Sequence, residues 1–106
     1  MNITTSTLDS IATVLLEGRF DAHEAPAVRT ILDELIDGAS ITLIIDLSSV
    51  QFIDSTALSE LVRAMKRARE HGGDLTLAAP SDPVRVILEL TALDQAFTIV
   101  DARAAV

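Results

Sequence analysis

Apolar residues along the chain fall into short runs separated by longer stretches in which they recur every three to four positions, and these two periods predict strands alternating with helices. Ile11 to Glu17 reads as a strand closed by Gly18, with a weaker strand from Ile3 to Leu8 before it, so that the two form a hairpin. The spacing of Val28, Ile31, Leu32, Leu35 and Ile36 predicts a first helix, with Arg29, Asp33, Glu34 and Asp37 on its other side. Its entry lies between Asp21, a capping type with Glu24 three positions on, and Pro26, which favours a slightly later start. Gly38 ends that helix, Ile41 to Leu47 reads as a buried central strand, and Ser48 to Asp54 as a connection. A second helix from Ser55 to about Arg69 buries Leu58, Leu61, Val62, Met65 and Ala68, while Glu60, Arg63, Lys66, Arg67 and Glu70 form its outer face. His71, Gly72 and Gly73 stop it. Leu75 to Ala78 is the next strand, and Ser81, Asp82 and Pro83 open a short third helix carrying Val84, Ile87 and Leu88 on one face. Phe97 to Val100 reads as a last strand, and Asp101 to Val106 as a tail compatible with helix. The order β-β-α-β-α-β-α-β predicts one α/β domain over residues 1–106.

Composition narrows the functions open to such a domain. A chain of 106 residues supports one core, and its apolar residues are mostly Ala, Val, Ile and Leu, with three Phe and no Trp or Tyr. Stacking on nucleic-acid bases is therefore disfavoured. Eight Lys and Arg against sixteen Asp and Glu leave a formal charge of −8, which repels phosphate backbones and anionic membrane surfaces. The absence of cysteine excludes disulfides, thiolate zinc sites and cysteine nucleophiles. The polar opening from Asn2 to Thr7 lacks the pattern of a signal peptide, and no apolar run reaches membrane-spanning length, so no membrane insertion and a cytoplasmic location are expected.

The stretch from Asp46 to Leu58 carries the chemistry worth weighing: an apolar strand leads through a loop to Asp54, Ser55 and Thr56 at a helix start. Free backbone N–H groups and partial positive charge gather at a helix N-terminus, so a phosphate on Ser55 would sit where the backbone favours an anion. On pattern alone, however, hydroxyl and carboxylate residues in front of an apolar helix are usually caps. A serine hydrolase would need a histidine base, and His23 and His71 stand in no supporting motif; the surroundings of Ser55 also lack the glycines of a nucleophile elbow. His71 is more simply a helix-end residue near free carbonyls. Asp21, Asp46 and Asp54 resemble the acidic set of a metal site or a phospho-aspartate receiver, but Lys66, the sole lysine, lies mid-helix, and capping or solvated carboxylates explain them better. No metal and no cofactor is expected.

The segment Asp46-Leu47-Ser48-Ser49-Val50-Gln51-Phe52-Ile53-Asp54-Ser55-Thr56-Ala57-Leu58 closely resembles the central motif of STAS-domain anti-sigma-factor antagonists. Gly18-Arg19-Phe20-Asp21-Ala22-His23 resembles that family's turn before the first helix, and the Gly72-Gly73 stop and Leu90-Thr91-Ala92-Leu93 extend the likeness over nearly the whole chain. The resemblance implies the STAS fold, a mixed sheet of four to five strands with three to four helices packed mainly on one side. It implies a bacterial, non-enzymatic regulator of transcription whose phosphorylated residue falls on Ser55. Asp21, His23, Asp54, Ser55, Thr56 and Ala57 would meet the partner, an anti-sigma factor that is also an ATP-binding serine kinase, and a serine phosphatase would reset the switch. Ala57 stands where the family usually has Gly, adding a methyl where a partner is expected to approach. The same resemblance also fits a subunit of a lipid-transport complex or of another stress-signalling assembly, in which Ser55 need not be phosphorylated.

Overall fold

The computed structural model describes residues 1–38 and 42–102. Strand β1 (Asn2–Leu8) turns through Asp9, whose φ is +57°, into β2 (Ile11–Phe20), and the two pair antiparallel from Asn2 opposite Glu17 to Leu8 opposite Ile11. Then follow α1 (Ala25–Asp37), β3 (Thr42–Ile53), α2 (Ser55–Glu70), β4 (Asp74–Ala78), α3 (Asp82–Leu90), a 3-10 turn at Leu93–Gln95, and β5 (Thr98–Val100). The sheet order is β1-β2-β3-β4-β5, with β2 through β5 mutually parallel, which makes the sheet mixed.

Each parallel crossover steps one strand in the same direction, and right-handed connections of that kind place their helices on the same face. The side chains agree. Ala12, Leu43 and Leu75 form one cross-strand row and Val14, Ile45 and Leu77 the next, all fully buried under the helices. On the other face Leu8 and Ile11 are 76% and 45% exposed. Helix α2 lies over β3 and β4 and buries Leu58, Leu61, Ala64, Met65 and Ala68, with Val62 at the edge of the core. Helix α1 buries Val28, Leu32 and Ile36, leaving Ile31 and Leu35 half-buried.

Several sequence-based boundaries shift. The strand expected to close at Gly18 continues through it to Phe20, because glycine there adopts φ +113° at no Cβ cost and the ladder re-registers around it. The stretch expected as a connection after Leu47 is accordingly strand, pairing Glu17 with Ser49, Arg19 with Phe52 and Phe20 with Ile53. Ile41, the expected first residue of that strand, lies outside the described residues, as do residues 103–106 of the tail. Phe97 is buried but precedes β5. Glu24 is the N-cap of α1 and Pro26 its second residue, while Asp21 closes the preceding turn: its Oδ1 accepts from the N–H of His23 (3.1 Å) and Glu24 (3.2 Å).

Glu60 is the clearest correction. Helical spacing predicts it on the outer face of α2, yet it is 7% exposed, because α1 packs along that side and turns it into a helix–helix seam. Arg63 donates to both Glu60 oxygens (2.9 and 2.6 Å) and to Asp33 of α1 (2.9 Å), and Arg67 meets Asp33 (2.7 Å) and Asp37. Burial opposes ionisation of Asp33, but the hydrogen bonds from Arg67 and Arg63 outweigh it and hold the carboxyl below its ordinary range. At the far end of α2, Nδ1 of His71 lies 2.9 Å from the Arg67 carbonyl, and Gly72 takes φ +86°. At the start of α3, Ser81 does not cap through its side chain; its hydroxyl donates to the Val50 carbonyl and ties the helix to β3.

Leu61 is fully buried where α2 meets the sheet, and Leu61→Ala is expected to destabilise the domain by about 2–5 kcal/mol, measured by urea unfolding. A loss of less than about 1 kcal/mol would contradict the packing described.

Candidate functional site

Because β2 and β3 run parallel, their C-terminal turns open at the same edge of the sheet: the turn at residues 21–24 after β2 and the first turn of α2 after β3. Asp54 fastens the two together. It is the N-cap of α2, with extended backbone (φ −107°, ψ 178°), and its Oδ1 accepts from the Ala57 N–H at 2.9 Å. Its other oxygen, Oδ2, accepts from the N–H of Ala22 at 2.8 Å, across 32 positions of sequence. The Asp54 N–H donates to the Phe20 carbonyl (3.3 Å), so backbone and side chain of one residue bind both sides of the junction.

These bonds set the charge as well as the shape. The Ala57 N–H is the strongest influence holding the Asp54 carboxyl below its ordinary range; partial desolvation opposes it, and the N–H groups of Ala22 and Thr56 and the charge of Arg19 reinforce it. The carboxylate is thus a fixed anion directly before Ser55.

Ser55 and Thr56, the first residues of α2, are exposed, as are Ala22 and His23; Asp21 and Asp54 are partly exposed. Two open grooves flank the helix start. One, of about 370 Å³, lies between α1 and α2 and is lined by Ala22, Pro26, Arg29, Thr56, Ser59 and Arg63. The other, also about 370 Å³, runs along Ser55, Leu58, Ser59, Val62 and Leu93.

Five of the six candidate residues therefore border one patch. Ala57 is the exception: its side chain is fully buried in the core, so the methyl expected in a partner's path points inward, and its contribution to the surface is the N–H given to Asp54. Asp46 is buried apart from the patch, its Oδ1 accepting from the N–H (2.9 Å) and hydroxyl (2.6 Å) of Ser48. No metal-holding group of three or more His, Cys, Asp or Glu occurs among the described residues. Likewise, no described helix is long and apolar enough to cross a membrane.

Sequence reasoning passed over Arg19 and Phe52. They are cross-strand partners at the ends of β2 and β3, and the Arg19 guanidinium lies 4.0 Å from the centre of the Phe52 ring. The sequence held one signal: Arg19 and Arg29 are the only Lys or Arg before Arg63, and both border the patch.

Asp54→Ala is expected to lower Tm and to speed hydrogen exchange of the Ala22 and Ala57 amides more than that of amides in the middle of the sheet. In the wild type the same protection should be complete above the ordinary carboxylate pKa of about 4 and fade as pH falls through the lowered value. Unchanged exchange at Ala22 in Asp54→Ala would show that the bridge does not hold the turn.

Residues 2–105 match the family model described as STAS domain. An anti-sigma-B factor antagonist of Listeria monocytogenes serovar 1/2a is 34% identical over 86 residues, covering 81% of this chain and 75% of the relative. The crystal structure of an anti-sigma factor antagonist from Mycobacterium paratuberculosis has a TM-score of 0.83 at 25% identity, covering 93% of this chain and 84% of that one. The Bacillus cell fate determinant SpoIIAA in its phosphorylated form has a TM-score of 0.74 at 19% identity, covering 92% and 90%, a likeness of fold. A mixed five-stranded sheet with its helices on one face, a family match spanning nearly every residue and a bacterial relative named as an anti-sigma-B factor antagonist lead to one conclusion: this chain belongs to the STAS domain family.

Proposed function

We propose that the chain is a cytoplasmic, phosphorylation-controlled anti-sigma-factor antagonist. In this reading the unphosphorylated form binds an anti-sigma factor that is also a serine kinase, and the sigma factor is thereby freed. The kinase transfers the γ-phosphoryl group of its ATP to the Ser55 Oγ, the hydroxyl proton is released, ADP leaves, and the complex parts. A serine phosphatase restores the binding form.

The observation that carries the reading is the placement of Ser55: exposed, in the first turn of a helix whose N-cap Asp54 is clamped to the neighbouring turn that holds Asp21 and His23. The names of the relatives support the same task. Phosphorylation would add a charge of about −1.5 to −2 beside the Asp54 carboxylate. In a chain of formal charge −8 this makes the patch bulkier and more repulsive to acidic groups while leaving the core untouched.

Capping and switching predict different results for Ser55. The cap of α2 is Asp54, so Ser55→Ala should leave Tm within a few degrees of wild type. It should bind the purified anti-sigma factor as wild type does and stay bound when ATP is added, whereas Ser55→Asp should bind more weakly, by tenfold or thereabouts. ATP-dependent release of Ser55→Ala would overturn the assignment and direct attention to Thr56.

A further inference from the structure

The described arginines fall into two groups. Arg63, Arg67, Arg69 and Arg85 are each held by a carboxylate at 2.9 Å or closer. Arg19 and Arg29 are not: their nearest carboxylates are Asp21 at 4.0 Å and Asp33 at 3.9 Å, and their side chains are 66% and 61% exposed. Both loosely held arginines stand at the candidate site, Arg19 at the end of β2 and Arg29 in the groove that Ala22 and Thr56 also line.

Arg19 is also preorganised. Its guanidinium rests on the Phe52 ring, 4.0 Å from the centroid, and that ring is itself 37% exposed. A guanidinium stacked on an aromatic face keeps its N–H edge free for a planar, two-pronged carboxylate contact, and it has less freedom to lose on binding than an unsupported arginine. Exposed Arg and aromatic side chains are the types that dominate interface energetics. On a chain of formal charge −8, this edge offers an acidic partner two cations that no carboxylate holds closer than 3.9 Å.

We propose that Arg19, seated on Phe52 and assisted by Arg29, is the docking point for a carboxylate-bearing segment of the anti-sigma factor, and that this pair of arginines sets which acidic surface the chain accepts. The inference rests on the antagonist reading above and adds the chemistry of the partner. It also gives phosphorylation a local effect: a phosphate on Ser55, next to Asp54 whose charge Arg19 already feels, would compete with the partner's carboxylate for that cation.

The test is calorimetric titration of the full chain with the purified anti-sigma factor, for wild type, Arg19→Glu, Arg19→Lys and Phe52→Leu, each checked for an unchanged Tm. Arg19→Glu should weaken binding by at least tenfold or so, and Arg19→Lys and Phe52→Leu by less, because charge survives but its fixed orientation does not. Raising salt from about 0.05 to 0.5 M should weaken the wild type more than Arg19→Glu. Wild-type binding that persists within about twofold in Arg19→Glu would overturn this inference while leaving the antagonist reading intact. Failure of the wild type itself to bind would overturn both.

Discussion

The arrangement depends on one carboxylate with two backbone donors. Asp54 supplies the cap that α2 needs, and any Asp, Asn or Ser in that place would do so. What distinguishes it is the second oxygen, which takes the N–H of Ala22 and, with the Asp54 N–H bond to the Phe20 carbonyl, joins two turns that adjacent parallel strands bring to one edge. Ser55 therefore stands at the head of an anchored helix, beside an anchored turn, on a sheet whose other face is partly open to solvent. Rigid scaffolding beneath an exposed hydroxyl suits the proposed role of Ser55 as a modified contact residue.

Local chemistry was legible in the sequence and long-range chemistry was not. An acidic or hydroxyl residue before an apolar helix announces a cap, so the first turn of α2 was readable from a few consecutive residues, whereas the same rule offers Asp21 as a cap of α1 when the cap is Glu24 and Asp21 closes the turn before it. The bond between Asp54 and Ala22 was not, because nothing in either residue's neighbourhood signals a partner 32 positions away. Glu60 was misplaced for a related reason: a helical wheel separates apolar from polar, but it does not say that a second helix covers part of the polar side and pairs Glu60 with Arg63 in a half-buried seam. The strand through Gly18 was cut short because glycine usually ends a strand, whereas here it lets the strand bulge and continue. That extension is what brings Arg19 opposite Phe52, and so the missed boundary and the missed stack have one cause.

Charge ties the candidate site to its proposed role. The chain is acidic overall, yet the carboxylates nearest the patch are engaged, Asp54 by amide donors and Asp21 by the amides of His23 and Glu24, while the two arginines beside them are held loosely. A surface so balanced changes character when one phosphate is added, with no change in the packed core beneath it. The burial of Ala57 fits this division: the residue one turn into α2 belongs to the core, and the adjustable chemistry lies in the exposed residues around it.

The central claim is that the edge holding the Asp21 turn and the start of α2 is the surface a partner uses. The most direct measurement is amide chemical-shift mapping of the isotope-labelled chain during titration with unlabelled anti-sigma factor. The account predicts the largest shifts or losses of signal at residues 19–24, 29, 52 and 54–59, with little change at Leu8, Ile11 and Thr13 on the far face of the sheet. Perturbations centred on that far face, with Ala22, Ser55 and Thr56 unmoved, would contradict it.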